Sequence, residues 1–223
     1  MKQFTPLTFK LLTALTTLIT LCQPTQYAYS IGQSAASHRQ TSPSPYPGKV
    51  KDGRYFAQSG VFSIAVPSDG LAGADEIYHA ENDSYSLMSW DSLGVTQQTE
   101  VTRLPPELKR GLRRAPQLKE RILEVMFKDF SERHLSSTVS DGRIETQELI
   151  NLSGRGPLLY TEMRLGPKSS KTNGCEKLSF AHYYDGDYIV FVMVDERESG
   201  STQKAQDMKT KMLQTIEKIR IEK

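Results

Sequence analysis

Cysteine is nearly absent from this chain: Cys22 and Cys175 are the two among 223 residues. Cys22 ends an apolar run inside a segment that reads as a removable leader. The rest then holds Cys175 alone and closes no internal disulfide, so stability must come from a core. Net charge is as scarce. The formal +2 reflects 28 basic against 26 acidic residues. Lys2 and Lys10 both lie in residues 1–30, which hold no acid, so without that segment the signs balance. A neutral chain offers no global field to nucleic acid, and any polyanion contact must be local. Long hydrophobic runs are missing too. Residues 11–22 form a 12-residue stretch diluted with threonine, short of the roughly 20 apolar residues that span a bilayer.

Chemistry-bearing patterns are equally thin. The four histidines are His38, His79, His134 and His182, with no metal-ligand spacing among them, no Cys-x-x-Cys and no clustered carboxylate motif. No metal and no cofactor are expected. A Gly-x-Ser-x-Gly elbow and a phosphate-cradling glycine loop are also absent, so no catalytic residue is assigned.

What is present begins with the leader. Lys2 and Lys10 flank the apolar stretch, and Ala28-Tyr29-Ser30 supplies small residues at the −3 and −1 positions of a cleavage site. Residues 1–30 therefore predict export, to the periplasm or the medium, with no membrane-spanning segment left after processing. Cys22 resembles the lipidated cysteine of bacterial lipoproteins, although Leu21 stands where those signals carry a small residue. Residues 31–50, with Ser42-Pro43-Ser44-Pro45-Tyr46-Pro47-Gly48, are too poor in large apolar side chains to bury themselves and read as a disordered spacer. Residues 51–223 read as one domain, folded from about Arg54.

Its centre is the stretch 178–195. Asp185-Gly186 sits between two runs rich in aromatic and β-branched residues, a strong hairpin signal. Closing the turn there sets Tyr184 opposite Asp187, His182 opposite Ile189 and Phe180 opposite Phe191. Both faces are largely apolar, as in a central strand covered on both sides. Upstream, residues 54–57 and 61–66 predict a hairpin around Gln58-Ser59-Gly60, stopped by Pro67. Strands are expected at 76–80, 85–90 and 95–104, the last with only partial alternation. Pro105-Pro106 opens a helix carrying Leu108 and Leu112, which Pro116 restarts. Leu118, Ile122, Val125 and Met126 then mark an apolar stripe to about Arg133. Strands follow at 143–152 and 158–165, then a polar loop at 166–174. A closing amphipathic helix carries Ala205, Met208, Met212, Ile216 and Ile219, with Ser201 or Thr202 to cap it. The fold class is α+β, an antiparallel sheet with a middle helix and a C-terminal amphipathic helix packed on it.

The N-terminal hairpin Tyr55-Phe-x-x-x-Gly-Val-Phe-Ser-Ile-x-Val-Pro67, the long middle helix, the late Asp-Gly-Asp-Tyr hairpin and the terminal helix resemble the PsbP/DcrB/Mog1-like sandwich proteins over residues 54–221. The resemblance implies a small accessory or binding protein, often exported and generally not an enzyme. It carries over no functional residue.

One segment stands out in charge. Arg103, Lys109, Arg110, Arg113, Arg114, Lys119 and Arg121 face only Glu107 and Glu120. Lys109, Arg110, Arg113, Arg114, Lys119 and Arg121 are the expected binding residues, for anionic lipid headgroups or an envelope protein. Nucleic acid is not expected, because no aromatic platform interleaves with the charges. A different reading pairs Cys175 with His182 as a thiol-dependent hydrolase, but His182 between Phe180 and Tyr184 has the setting of a packed histidine. Ser153-Gly-Arg-Gly-Pro157 looks like an anion-binding turn, yet it precedes a strand, and the helix terminus that would hold the anion is missing.

Overall fold

The computed structural model of the chain describes residues 47–67, 70–80, 82–91, 96–139, 141–153, 155–195 and 207–222, without the side chains of 133–138, 172 and 173. The leader with Cys22, most of the spacer, and the expected helix cap at Ser201 or Thr202 lie outside these residues. In chain order the strands open with β1 (Lys49–Lys51), β2 (Arg54–Phe56) and β3 (Phe62–Ala65). β1 begins inside the stretch read as spacer. It joins β2 through Asp52-Gly53, whose φ angles of 50° and 70° give the left-handed pair of a type I′ turn.

Three longer strands follow: β4 (Gly73–His79), β5 (Ser84–Trp90) and β6 (Thr96–Arg103). Helix α1 (Pro106–Arg114) starts on its proline, and a 3-10 turn at Pro116–Leu118 leads into α2 (Lys119–Thr138). Next come β7 (Arg143–Leu152) and β8 (Gly156–Arg164). Residues expected as a polar loop instead contain α3 (Pro167–Asn173), ended by Gly174 at φ 69°. It has no apolar periodicity to betray it. Asp141 starts it instead, its carboxylate accepting from the Lys168 N–H at 2.9 Å, the Ser169 N–H at 3.2 Å and the Ser169 hydroxyl. A side chain at Gly166 would put a Cβ 2.3 Å from the Asp141 carbonyl. The chain finishes with β9 (Lys177–Asp185), β10 (Tyr188–Asp195), α4 (Met208–Glu217) and β11 (Arg220–Ile221).

Seven strands form one antiparallel sheet in the order β4-β5-β6-β10-β9-β8-β7. The predicted central hairpin is there, with its turn moved. Asp185 pairs with Tyr188, so the two loop residues are Gly186 and Asp187, and Gly186 alone takes a positive φ of 62°. That is the type II′ pattern, not the expected I′. The register slides by two: Ile189 meets Tyr184, and Phe191 meets His182. A slide of two leaves every side chain on its expected face, because the pleat repeats every two residues.

One face of the sheet carries Leu158, Tyr160, Ala181, Tyr183, Val190 and Val192 against Tyr55, Phe62 and Ile64 of a small sheet ordered β1-β2-β3-β11, and against Met212 and Ile216 of α4. The other carries Leu159 and Ile189 under Leu108 and Leu112 of α1 and Leu123, Met126 and Phe127 of α2. Each such side chain, fully buried, contributes about 1.5–3 kcal/mol. The α+β class and both expected helices are thus present, with the main sheet between two covering layers. β6 alternates weakly for a visible reason: Gln98 and Glu100 share a face with Phe191 and Met193, so its polar residues sit on the sheet's inner rows.

Two polar contacts lock the small-sheet layer to the main one. The Tyr55 hydroxyl, wholly buried, donates to Glu76 of β4 at 2.5 Å, and the Gln58 N–H donates to the same carboxylate at 2.8 Å. Arg155, from the turn that resembled an anion site, donates to the carbonyls of Ile216 at 2.9 Å and Ile219 at 2.7 Å. Its charge closes the carbonyl end of α4, where the helix dipole favours a cation.

Candidate functional site

The basic segment wraps the end of the sheet where the β9–β10 turn lies. Leu104 donates its N–H to the Asp187 carbonyl at 2.8 Å, which brings the start of α1 against that turn. Leu108 and Leu112 bury on the sheet. Helical spacing then sends Arg110, Arg113 and Arg114 to the opposite, outward side, and all three are exposed. Arg110 lies three residues from Arg113 and four from Arg114. Like charges at those spacings destabilise a helix by about 0.2–0.5 kcal/mol per pair. Glu107 accepts from Arg110 at 2.9 Å, and Asp187 interacts electrostatically with Arg113. Among the described residues no carboxylate lies within ion-pair reach of Arg113, Arg114 or Arg121.

The six expected contact residues therefore divide. Lys109 turns to the β9–β10 loop and pairs with Asp187, and that hydrogen bond holds the Asp187 carboxyl below the usual range, with Arg113 and Arg103 adding to the effect. Lys119 lies over the Tyr184 ring, 4.1 Å from its centroid. Burial raises the Tyr184 phenol, with Asp187 acting in the same direction and Arg113 against it. Lys109 and Lys119 thus tie the helices to the central hairpin. Arg110, Arg113, Arg114 and Arg121 form the outward set. Arg103, at the end of β6, pairs with Asp83 at 3.0 Å.

The stripe read as the core face of α2 needs correcting. Leu123, Met126 and Phe127 are buried and Ile122 packs beside them, whereas Leu118 is 38% and Val125 47% exposed. Leu118 and Val125 lie on the order of 100° round the axis from the buried side chains, so a mixed stripe had been taken as one. Leu118, Arg121, Val125 and Lys128 follow at steps of three, four and three on the outer surface, with Lys128 held by Glu124 at 2.7 Å.

The residues offered for thiol chemistry are both buried. His182 is 5% exposed among the rings of Phe127, Phe130, Phe180 and Phe191, with centroids 5.1 to 6.0 Å away. Cys175 is buried in a cluster with Val139, Met163, Leu165, Leu178 and Phe180, the last of which also meets the His182 ring. Cys175 precedes β9 by two residues and His182 is the sixth residue of that strand. Among the described residues no three His, Cys, Asp or Glu side chains gather as metal ligands, and no helix is long and apolar enough to cross a membrane.

No protein-family model matches the chain, and no curated protein matches its sequence. In three dimensions it is similar to cyanobacterial PsbP (CyanoP) from Synechocystis sp. PCC 6803. The match has 10% identity and a TM-score of 0.39, and covers 78% of this chain and 96% of that one.

Proposed function

We propose that this chain is an exported, non-enzymatic accessory or binding protein of the cell envelope, which holds an anionic partner against the outward arginines of α1. The observation that carries the reading is Arg110, Arg113 and Arg114 on one exposed helix face, with Glu107 paired to Arg110 and, among the described residues, no ion pair at Arg113 or Arg114. A helix that tolerates such repulsion without folding benefit has the electrostatics of a contact surface.

Each arginine near an anionic surface contributes about 1 kcal/mol. Reversing all three to glutamate is expected to weaken binding of a soluble polyanion such as dextran sulfate by at least about a hundredfold at low salt. Unchanged binding would remove the segment from the account. The export half is tested separately, by mass spectrometry of the natural N-terminus. A chain beginning at Ile31 supports cleavage after Ser30, an acylated Cys22 supports a tethered form, and retained Met1 contradicts export.

A further inference from the structure

We infer that the partner of the basic segment is the surface of an anionic lipid bilayer, and that Leu118 and Val125 enter it while Arg114 and Arg121 hold its headgroups. The inference rests on the polyanion reading above and narrows it. A soluble polyanion is bound by charge alone and has no use for exposed apolar side chains. A bilayer has both layers of chemistry, charged headgroups outside and hydrocarbon beneath. This helix surface has both as well.

The geometry points to that pairing. Leu118, at the end of the 3-10 turn, and Arg121 and Val125 of α2 are spaced i, i+3 and i+7 and all exposed, and the two apolar members are among the five most exposed large hydrophobic side chains of the described residues. Arg114, the last residue of α1 and exposed, precedes Leu118 by four residues. The inward positions of α2 are filled by Leu123, Met126 and Phe127, and Leu118 and Val125 are not members of that buried cluster. The charge is complementary to a negative leaflet: from Arg103 to Lys128 there are eight basic residues and the acids Glu107, Glu120 and Glu124. Two of those acids already accept from Arg110 and Lys128. Of the other exposed large apolar residues, Ile77 and Tyr78 lie on β4 after Asp75 and Glu76, and Val50 lies on β1 between Lys49 and Lys51, a shorter run of bases than that of residues 103–128.

The test compares three proteins, isolated at the length found in the source cells: wild type, Leu118→Ser/Val125→Ser, and Leu118→Trp. Each meets phosphatidylcholine vesicles, the same vesicles with phosphatidylglycerol, and dextran sulfate. The serine pair is expected to lose about tenfold or more of the phosphatidylglycerol-dependent affinity, as befits two buried apolar side chains. It keeps dextran sulfate binding and the wild-type circular dichroism. The tryptophan variant, read as a difference from wild type, is expected to shift its emission to the blue on phosphatidylglycerol vesicles only. Brominated acyl chains should then quench it. Equal affinities for wild type and the serine pair, with no shift at residue 118, overturn the bilayer while the polyanion reading stands. Wild type indifferent to dextran sulfate and to phosphatidylglycerol alike overturns both.

Discussion

Lys109 and Arg113 are four residues apart on one short helix and serve different ends. Lys109 is drawn to Asp187 in the central turn, whereas Arg113 faces solvent. Residue type and local density made both legible as a basic cluster. Their separate fates depend on a turn more than seventy positions downstream, which no local window contains. The carboxylates tell a related story. Asp141 is held below its ordinary range first by the Ser169 hydroxyl, Glu145 by Arg164, and Asp187 by Lys109. A lowered folded-state value means the stabilisation is present above the usual carboxylate titration near about pH 4 and is lost as pH falls through the lowered value. Asp141→Asn is therefore expected to melt earlier than wild type at neutral pH, with the gap closing in acid; a gap that ignores pH would count against an ionised cap. Cys175, buried among Leu165 and Leu178, should react with maleimide orders of magnitude more slowly in the native protein than in urea. Fast native labelling would favour the thiol reading.

Among the elements, those with long periodic patterns were readable and the short ones were not. β9 and β10 show runs of aromatic and β-branched residues, and their faces were read correctly even though the turn moved by one position. β1 and β11, at three and two residues, are too short to show any period, and each exists because a neighbour pairs with it. α3 consists of Pro-Lys-Ser-Ser-Lys-Thr-Asn and shows nothing apolar, so only the Asp141 cap explains it. The facing of α2 was half legible, because Leu118 and Val125 share a heptad with each other but not with the core. Two stability series follow. Leu112→Ala, under α1, is expected to cost about 2–5 kcal/mol in urea unfolding, while Val125→Ser stays within about 0.5 kcal/mol. If Val125→Ser costs as much as Leu112→Ala, the outward stripe is misplaced. Removing Arg155 (as Arg155→Met) leaves the carbonyls of Ile216 and Ile219 without their cation and is expected to cost roughly 1.5–3 kcal/mol. Amide exchange should rise first in α4 and β11; a uniform rise would contradict a local cap.

At the scale of the whole molecule, a sheet apolar on both faces required two covering layers. The second was visible in the sequence as the C-terminal helix and the hairpin of residues 54–66; that this hairpin joins β1 and the chain-distant β11 in a separate small sheet was not. The layers also fix polarity of use. Arg110, Arg113, Arg114 and Arg121 gather near the end of the sheet marked by Gly186, while Arg143 pairs with Arg164 and so lies at the opposite end of the strands. This arrangement permits a direct readout of where the protein is touched. Arginine modification by phenylglyoxal, followed peptide by peptide with and without phosphatidylglycerol vesicles, is expected to slow at Arg110, Arg113, Arg114 and Arg121 and to leave Arg143 unchanged. Equal slowing at Arg143, or no change on α1, would contradict a contact surface at this end of the sheet.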